Sequence, residues 1–320
     1  MEQFSAGKFK AIKKNYFAIV KLIGQYIRNY LQSSDKKYII ACSIFCAGLI
    51  FLNYQFHLDK LIGKNNPFPV KLLVWSMVFM VAFGIPLFLY RFCHAAKPPL
   101  PASFYQLFFL ATLLFAFKYT ARFNFTFTSI PDMNIFWNKV LYWPVLLLIV
   151  FTCLLIIHKK ILHEESILGT RAGIGNWQPY LLMLLLMLPL IGFAGTQPDF
   201  QAMYPKLKTI APAGDITQLS PWQTILFELG YGSDFLSIEL FFRGFLVLAF
   251  AKWLGKDAIL PVAIFYCSIH FGKPMGECIS SYFGGILLGI VVYNTRSIWG
   301  GLLVHLGIAW MMEGAGILLK

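Results

Sequence analysis

The stretch "VLYWPVLLLIVFTCLLII" (Val140–Ile157) holds no charged residue, and its length settles the class of fold. A helix needs about 20 apolar residues to cross the hydrocarbon of a bilayer. Any segment that crosses must satisfy its backbone polar groups internally. Uncharged runs of this kind recur at Tyr38–Phe56, Leu72–Tyr90, Pro98–Phe117 and Ala172–Pro198. The alternating pattern over about ten residues that marks a membrane β-barrel is absent. The sequence predicts an all-α fold, a polytopic transmembrane helix bundle of about 8–9 spans. Spans are expected near 38–56, 70–91, 102–118, 140–158 and 177–196, then near 222–252, 257–271, 277–294 and 297–316. Composition agrees. Of the 320 residues, 58% are hydrophobic and 13% charged, against roughly 25% charged in soluble domains.

The formal net charge is +13, and its distribution argues against nucleic acid as a partner. Eight of the 27 basic residues fall between Lys8 and Lys37, before the first span. There Phe9, Ile12, Phe17, Ile23, Ile27 and Tyr30 recur near helical spacing. Such a helix lies in the interface, against anionic lipid headgroups. Lys21 and Arg28 interrupt the apolar stretch, unlike a signal peptide. The basic segment favours a cytoplasmic amino terminus and an inner (plasma) membrane protein, while the later loops nearly balance in Lys and Arg. The expected organisation is a basic interfacial segment (1–37), amino-terminal spans (38–196), a Pro- and Thr-rich loop that is a candidate lid (197–221), and a carboxy-terminal core (222–316). The six cysteines show no C-x-x-C spacing and read as small packing residues.

The two halves differ in kind. Up to Gly195 the spans contain almost nothing ionisable. From Glu228 onward the spans and their edges hold Glu228, Asp234, Glu239, Arg243, His270, Glu277, His305 and Glu313. Ionisable groups inside a membrane cost several kcal/mol unless paired or wet, so they point to function. The 222–252 segment is too long for one plain span, and "ELGYGSD" (Glu228–Asp234) is the expected break.

Three stretches carry the chemistry. In "SIELFFRGF" (Ser237–Phe245), Glu239 and Arg243 stand four apart on one helix face, acid before base. That spacing fits a buried structural ion pair, and it fits a carboxylate oriented for work on water. In "FYCSIHFGKPMGE" (Phe265–Glu277), His270 closes an apolar run before Gly272 and Pro274 stop the helix. It reads either as a hydrogen-bonded interfacial imidazole or as a base facing a wet cavity. In "FGGILLGIVVYNTRSIWGGLLVHLGIAWMME" (Phe283–Glu313), Gly285 and Gly289 allow close helix approach, and His305 lies mid-span.

In this order, Glu239-Leu-Phe-Phe-Arg243-Gly244, Tyr266-x-x-x-His270, Phe283-Gly284-Gly285 and Thr295 to Trp299 with His305 resemble the CPBP family. These are the CAAX proteases and bacteriocin-processing (Abi) enzymes, and the resemblance covers roughly residues 222–316. It implies a membrane endopeptidase in which a glutamate and the second-motif histidine activate water and the last motif supports the oxyanion. It assigns Glu239, Arg243, His270 and His305 to the site. Two positions depart from the family's pattern. The leading glutamate of its Glu-Glu-x-x-x-Arg motif is Ile238, and the Asn or Asp of its His-x-x-x-Asn/Asp motif is Ala309. Tyr266 also stands where the family has Phe. Asp234 and Glu277 are the nearby acids that could replace the missing carboxylate. The alternative is a catalytically impaired relative that binds a peptide or protein partner in the same cavity.

A metal is not expected. Glu239, His270 and His305 would supply a two-histidine, one-carboxylate set. However, no H-E-x-x-H occurs, and "HEESI" at His163 lacks the second histidine.

Overall fold

The computed structural model describes residues 22–63, 66–94, 98–162 and 168–319. The first described helix, α1 (22–33), falls within the expected interfacial segment, whose remainder up to residue 21 lies outside the described residues, as does His163. There follow α2 (Lys36–Phe56), a short α3 (Leu58–Gly63), α4 (Phe68–Cys93), α5 (Ala102–Thr120) and α6 (Pro131–Ile157). Helix α6 runs on into a π turn, His158–Leu162. Next come α7 (Gln178–Gly195), a short α8 (Pro198–Met203), α9 (Pro221–Ile238), a π segment (Glu239–Val247) and α10 (Leu248–Leu254). The chain closes with α11 (Ile259–Ser268), α12 (Met275–Thr295) and α13 (Trp299–Leu318). This is the all-α polytopic bundle that the uncharged runs predict.

Seven of these helices are long and apolar enough to cross a membrane: α2, α4, α5, α6 (with its π turn), α7, α12 and α13. Phe88, Leu148 and Phe193 stand exposed on them, as a lipid-facing surface requires. Of the other two expected spans, the second half of 222–252 and most of 257–271 are buried within the bundle. All ten residues of α11 are buried, and the helix packs against α2, α4, α12 and the π segment. A helix apolar on every side belongs inside, and here α11 has protein rather than lipid around it.

The break in the 222–252 segment is not where the sequence suggests. Helix α9 passes unbroken through Glu228–Asp234, and the change of winding begins at Glu239. The glycines serve packing instead. Gly230 lies so close to the Val140 carbonyl of α6 that a Cβ there would sit 2.5 Å from the oxygen. Gly285 and Gly289 meet Ala263 and Ile259 of α11 at 3.2 and 3.0 Å in the same sense, as the small-residue spacing predicts. Since the obstacle at Gly230 is backbone, α9 must shift to admit a methyl group. Gly230→Ala is expected to cost about 1–3 kcal/mol by overpacking. Gly284→Ala, with nothing within 4 Å, should leave the melting temperature in detergent unchanged. Equal melting of the two variants would contradict the close approach of α9 to α6.

The loop between α7 and α9 is tied to the core by two carboxylates. Glu313 of α13 accepts from the Lys206 and Leu207 amides at 2.8 and 3.3 Å. Tyr204 donates its hydroxyl to Glu277 of α12 at 3.0 Å.

Candidate active site

The turn that carries His270 is held from outside its own helix. Tyr54 of α2 donates its hydroxyl to the Lys273 carbonyl at 2.6 Å, and Tyr119 of α5 donates to that of Phe271 at 3.3 Å. Gly272 takes a positive φ of 86° against Asp59, a backbone state that glycine adopts without strain. The His270 ring nitrogen Nδ1 lies 3.0 Å from the Tyr266 carbonyl one turn earlier. A carbonyl can only accept, so Nδ1 carries the proton and Nε2 keeps its lone pair.

Glu239 and Arg243 meet inside the π segment, all nine residues of which are buried. An Arg243 terminal nitrogen stands 3.2 Å from Glu239 Oε1, with the two side chains 1% and 0% exposed. The same oxygen lies 3.0 Å from His305 Nδ1. His305 Nε2 in turn lies 2.8 Å from the Tyr266 hydroxyl. Tyr266 is therefore the hub. Its carbonyl holds His270, its hydroxyl meets His305, and its ring lies 4.3 Å under the Arg243 guanidinium, a cation–π contact. The four residues expected at a site converge around it, although they come from three separate segments.

Helix α13 reaches Glu239 because its first turn is built of Gly300 and Gly301. Gly300 leaves no room for a Cβ beside the Tyr180 ring of α7, and a Cβ on Gly301 would meet Glu239 Oε2 at 2.5 Å. The carboxylate thus lies against the amino-terminal turn of α13, whose dipole favours negative charge.

Among the described residues neither expected substitute acid reaches His270. Ile238 is buried in the main apolar core. Asp234 forms an ion pair with buried Lys118 of α5 at 2.6 Å. Glu277 pairs with Lys273 at 2.7 Å and accepts from Tyr204. Both candidate carboxylates already have partners, and neither is bonded to His270. Ala309 is likewise buried, among Phe136, Phe227, Tyr231 and Phe235.

Residues 222–311 match the family model of type II CAAX prenyl endopeptidase Rce1-like proteins. The match falls on the part of the chain that carries the site, which is similar to membrane endopeptidases of the CAAX-protease type, and the chain is an integral membrane protein. Neither the curated proteins nor the solved structures yield a match. The matched segment begins at α9 and ends within α13, so it takes in Glu239, Arg243, Tyr266, His270 and His305 and leaves the amino-terminal spans outside.

The donor set does not suit a catalytic cation. Glu239 Oε1 is already shared by a guanidinium and an imidazole N–H, and the Arg243 charge opposes a metal at that oxygen. Among the described residues no three His, Cys, Asp or Glu side chains gather as a metal site.

The sequence did not disclose the Tyr266 hydroxyl contact, because it appears only once α11 and α13 are side by side. The close approaches at Gly300 and Gly301 were equally hidden, since their partners lie in other helices.

Proposed function

We propose that the chain is an intramembrane endopeptidase that hydrolyses peptide bonds of membrane-associated substrates, with His270 as the base on water. The observation that carries this reading is the fixed tautomer of His270, which leaves the Nε2 lone pair available. Nε2 takes a proton from water as the water oxygen bonds to the peptide carbonyl carbon. The carbon–nitrogen bond then breaks, and the same proton passes to the leaving amine. Glu239, Arg243 and His305 form the buried polar cluster that Tyr266 joins to His270. An open apolar groove of about 480 Å³ on α13, lined by Trp299, Leu302, Leu303 and Leu306 together with Gly173 and Ile174, suits the lipid-embedded part of a substrate. A cytoplasmic amino terminus and an inner (plasma) membrane location complete the reading, supported by the basic segment and its affinity for anionic headgroups.

One observation favours the second reading, a catalytically impaired binder of peptides or proteins. Among the described residues no carboxylate is bonded to His270, since Ile238 is apolar and Asp234 and Glu277 are paired elsewhere. The test is cleavage of a liposome-tethered fluorogenic peptide, with and without an isoprenyl group, by the purified chain. The wild type is expected to turn over slowly, and Ile238→Glu to raise kcat by about 10²-fold, the low end of general acid–base assistance. Turnover confined to Ile238→Glu would establish the impaired binder instead.

A further inference from the structure

The hydrogen bonds around His305 restrict what that ring can donate. Glu239 Oε1, ion-paired with Arg243, lies 3.0 Å from Nδ1. An ionised carboxylate has no proton to give, so Nδ1 is the N–H. A neutral imidazole then has only a lone pair at Nε2, and the group facing it at 2.8 Å is the Tyr266 hydroxyl. Tyr266 must therefore be the donor of that bond. In this arrangement His305 has no N–H to offer a substrate.

An oxyanion needs a donor that is in place before the reaction starts. Ala309 offers no side-chain donor, and the Arg243 guanidinium lies beside Glu239 and over the face of the Tyr266 ring, its terminal nitrogens without a hydrogen bond among the described residues. The phenol is better placed. Its ring centre lies 4.8 Å from that of His270, the base, and 5.8 Å from that of His305. The phenol O–H is a donor whose redirection from Nε2 to a substrate oxygen moves no ring.

We propose that the Tyr266 hydroxyl, rather than His305, donates the hydrogen bond to the oxyanion, while Glu239 and His305 hold the phenol in position. The inference rests on the endopeptidase reading. In the addition step the water oxygen bonds to the carbonyl carbon, the carbonyl electron pair moves to oxygen, and the water proton goes to His270 Nε2. Tyr266 donates to the new oxyanion without losing its proton. On collapse the carbon–nitrogen bond breaks, and the amine takes the proton held by His270.

Tyr266→Phe removes the hydroxyl alone. It keeps the ring under Arg243 and the carbonyl that holds His270. With the full chain in proteoliposomes and the tethered peptide as substrate, Tyr266→Phe is expected to lower kcat about 10²- to 10³-fold, the effect of losing one oxyanion donor. KM should stay within about twofold, because the interaction is made only in the transition state. His305→Gln keeps an acceptor for the phenol and should lose less than Tyr266→Phe. The ¹⁵N shifts of His305 should show a protonated Nδ1 and an unprotonated Nε2. The reverse tautomer, or a Tyr266→Phe variant as fast as wild type, overturns this inference and leaves the endopeptidase reading standing. A larger loss in His305→Gln than in Tyr266→Phe does the same. A wild type without any turnover overturns both together.

Discussion

His270→Ala is expected to lower kcat by about 10²- to 10⁴-fold, the range by which a positioned base assists proton transfer. The magnitude follows from the lack of a substitute. Glu239 is bonded to Arg243 and His305, Asp234 to Lys118, and Glu277 to Lys273 and Tyr204. Each nearby carboxylate would have to break an ion pair before it could serve as a base. His305 cannot stand in either, because its Nε2 faces the phenol. The fold should survive the change. The turn around His270 is pinned by Tyr54 and Tyr119 through backbone carbonyls at residues 273 and 271, and none of those bonds uses the imidazole. Melting near the wild-type temperature together with lost cleavage is the expected pair of results. A variant that cleaves at the wild-type rate would remove His270 from the reaction.

How much of this was legible beforehand depends on the range of the force involved. The spans were legible because the cost of unpaired backbone in hydrocarbon is paid locally, residue by residue, as in Val140–Ile157. Gly285 and Gly289 were legible for the same reason, since a missing side chain marks the contact by itself. The break at Glu239 was not. Two glycines at 230 and 232 suggested the weak point, yet α9 is helical there and Gly230 instead lets it approach the Val140 backbone of α6. The winding changes instead where every residue is buried. A π segment is a frequent companion of functional sites, but nothing in the residue types of Glu239–Val247 announces it. The fate of Asp234 and Glu277 was equally hidden. Each is claimed by a partner distant in sequence, Lys118 in one case and Tyr204 in the other, and only the packed bundle shows that neither attends His270.

Arg243→Ala is expected to destabilise the protein by about 3–5 kcal/mol, the cost of stranding one member of a buried ion pair. Glu239 is 0% exposed, so without the guanidinium its charge keeps only His305 Nδ1 and the first turn of α13 as compensation. The Tyr266 ring would also lose the cation above it. Glu239→Gln should be milder on its own, because an amide oxygen can still accept from His305, although the arginine is left in excess. The pair is nevertheless a poor source of net stability. Glu239 Oε2 and both terminal nitrogens of Arg243 make no hydrogen bond among the described residues, and unmet buried groups carry their full desolvation cost. Replacing both residues with apolar ones of similar size, Glu239→Leu with Arg243→Met, should therefore recover most of the stability lost in the single variant. A double-mutant cycle on thermal or denaturant unfolding in one detergent reads the coupling directly. Recovery of the fold without recovery of cleavage would mean that the pair is kept for the site, holding His305 and through it Tyr266, at a cost in stability. If Arg243→Ala melts like the wild type, the buried pair described here is not the one the protein forms.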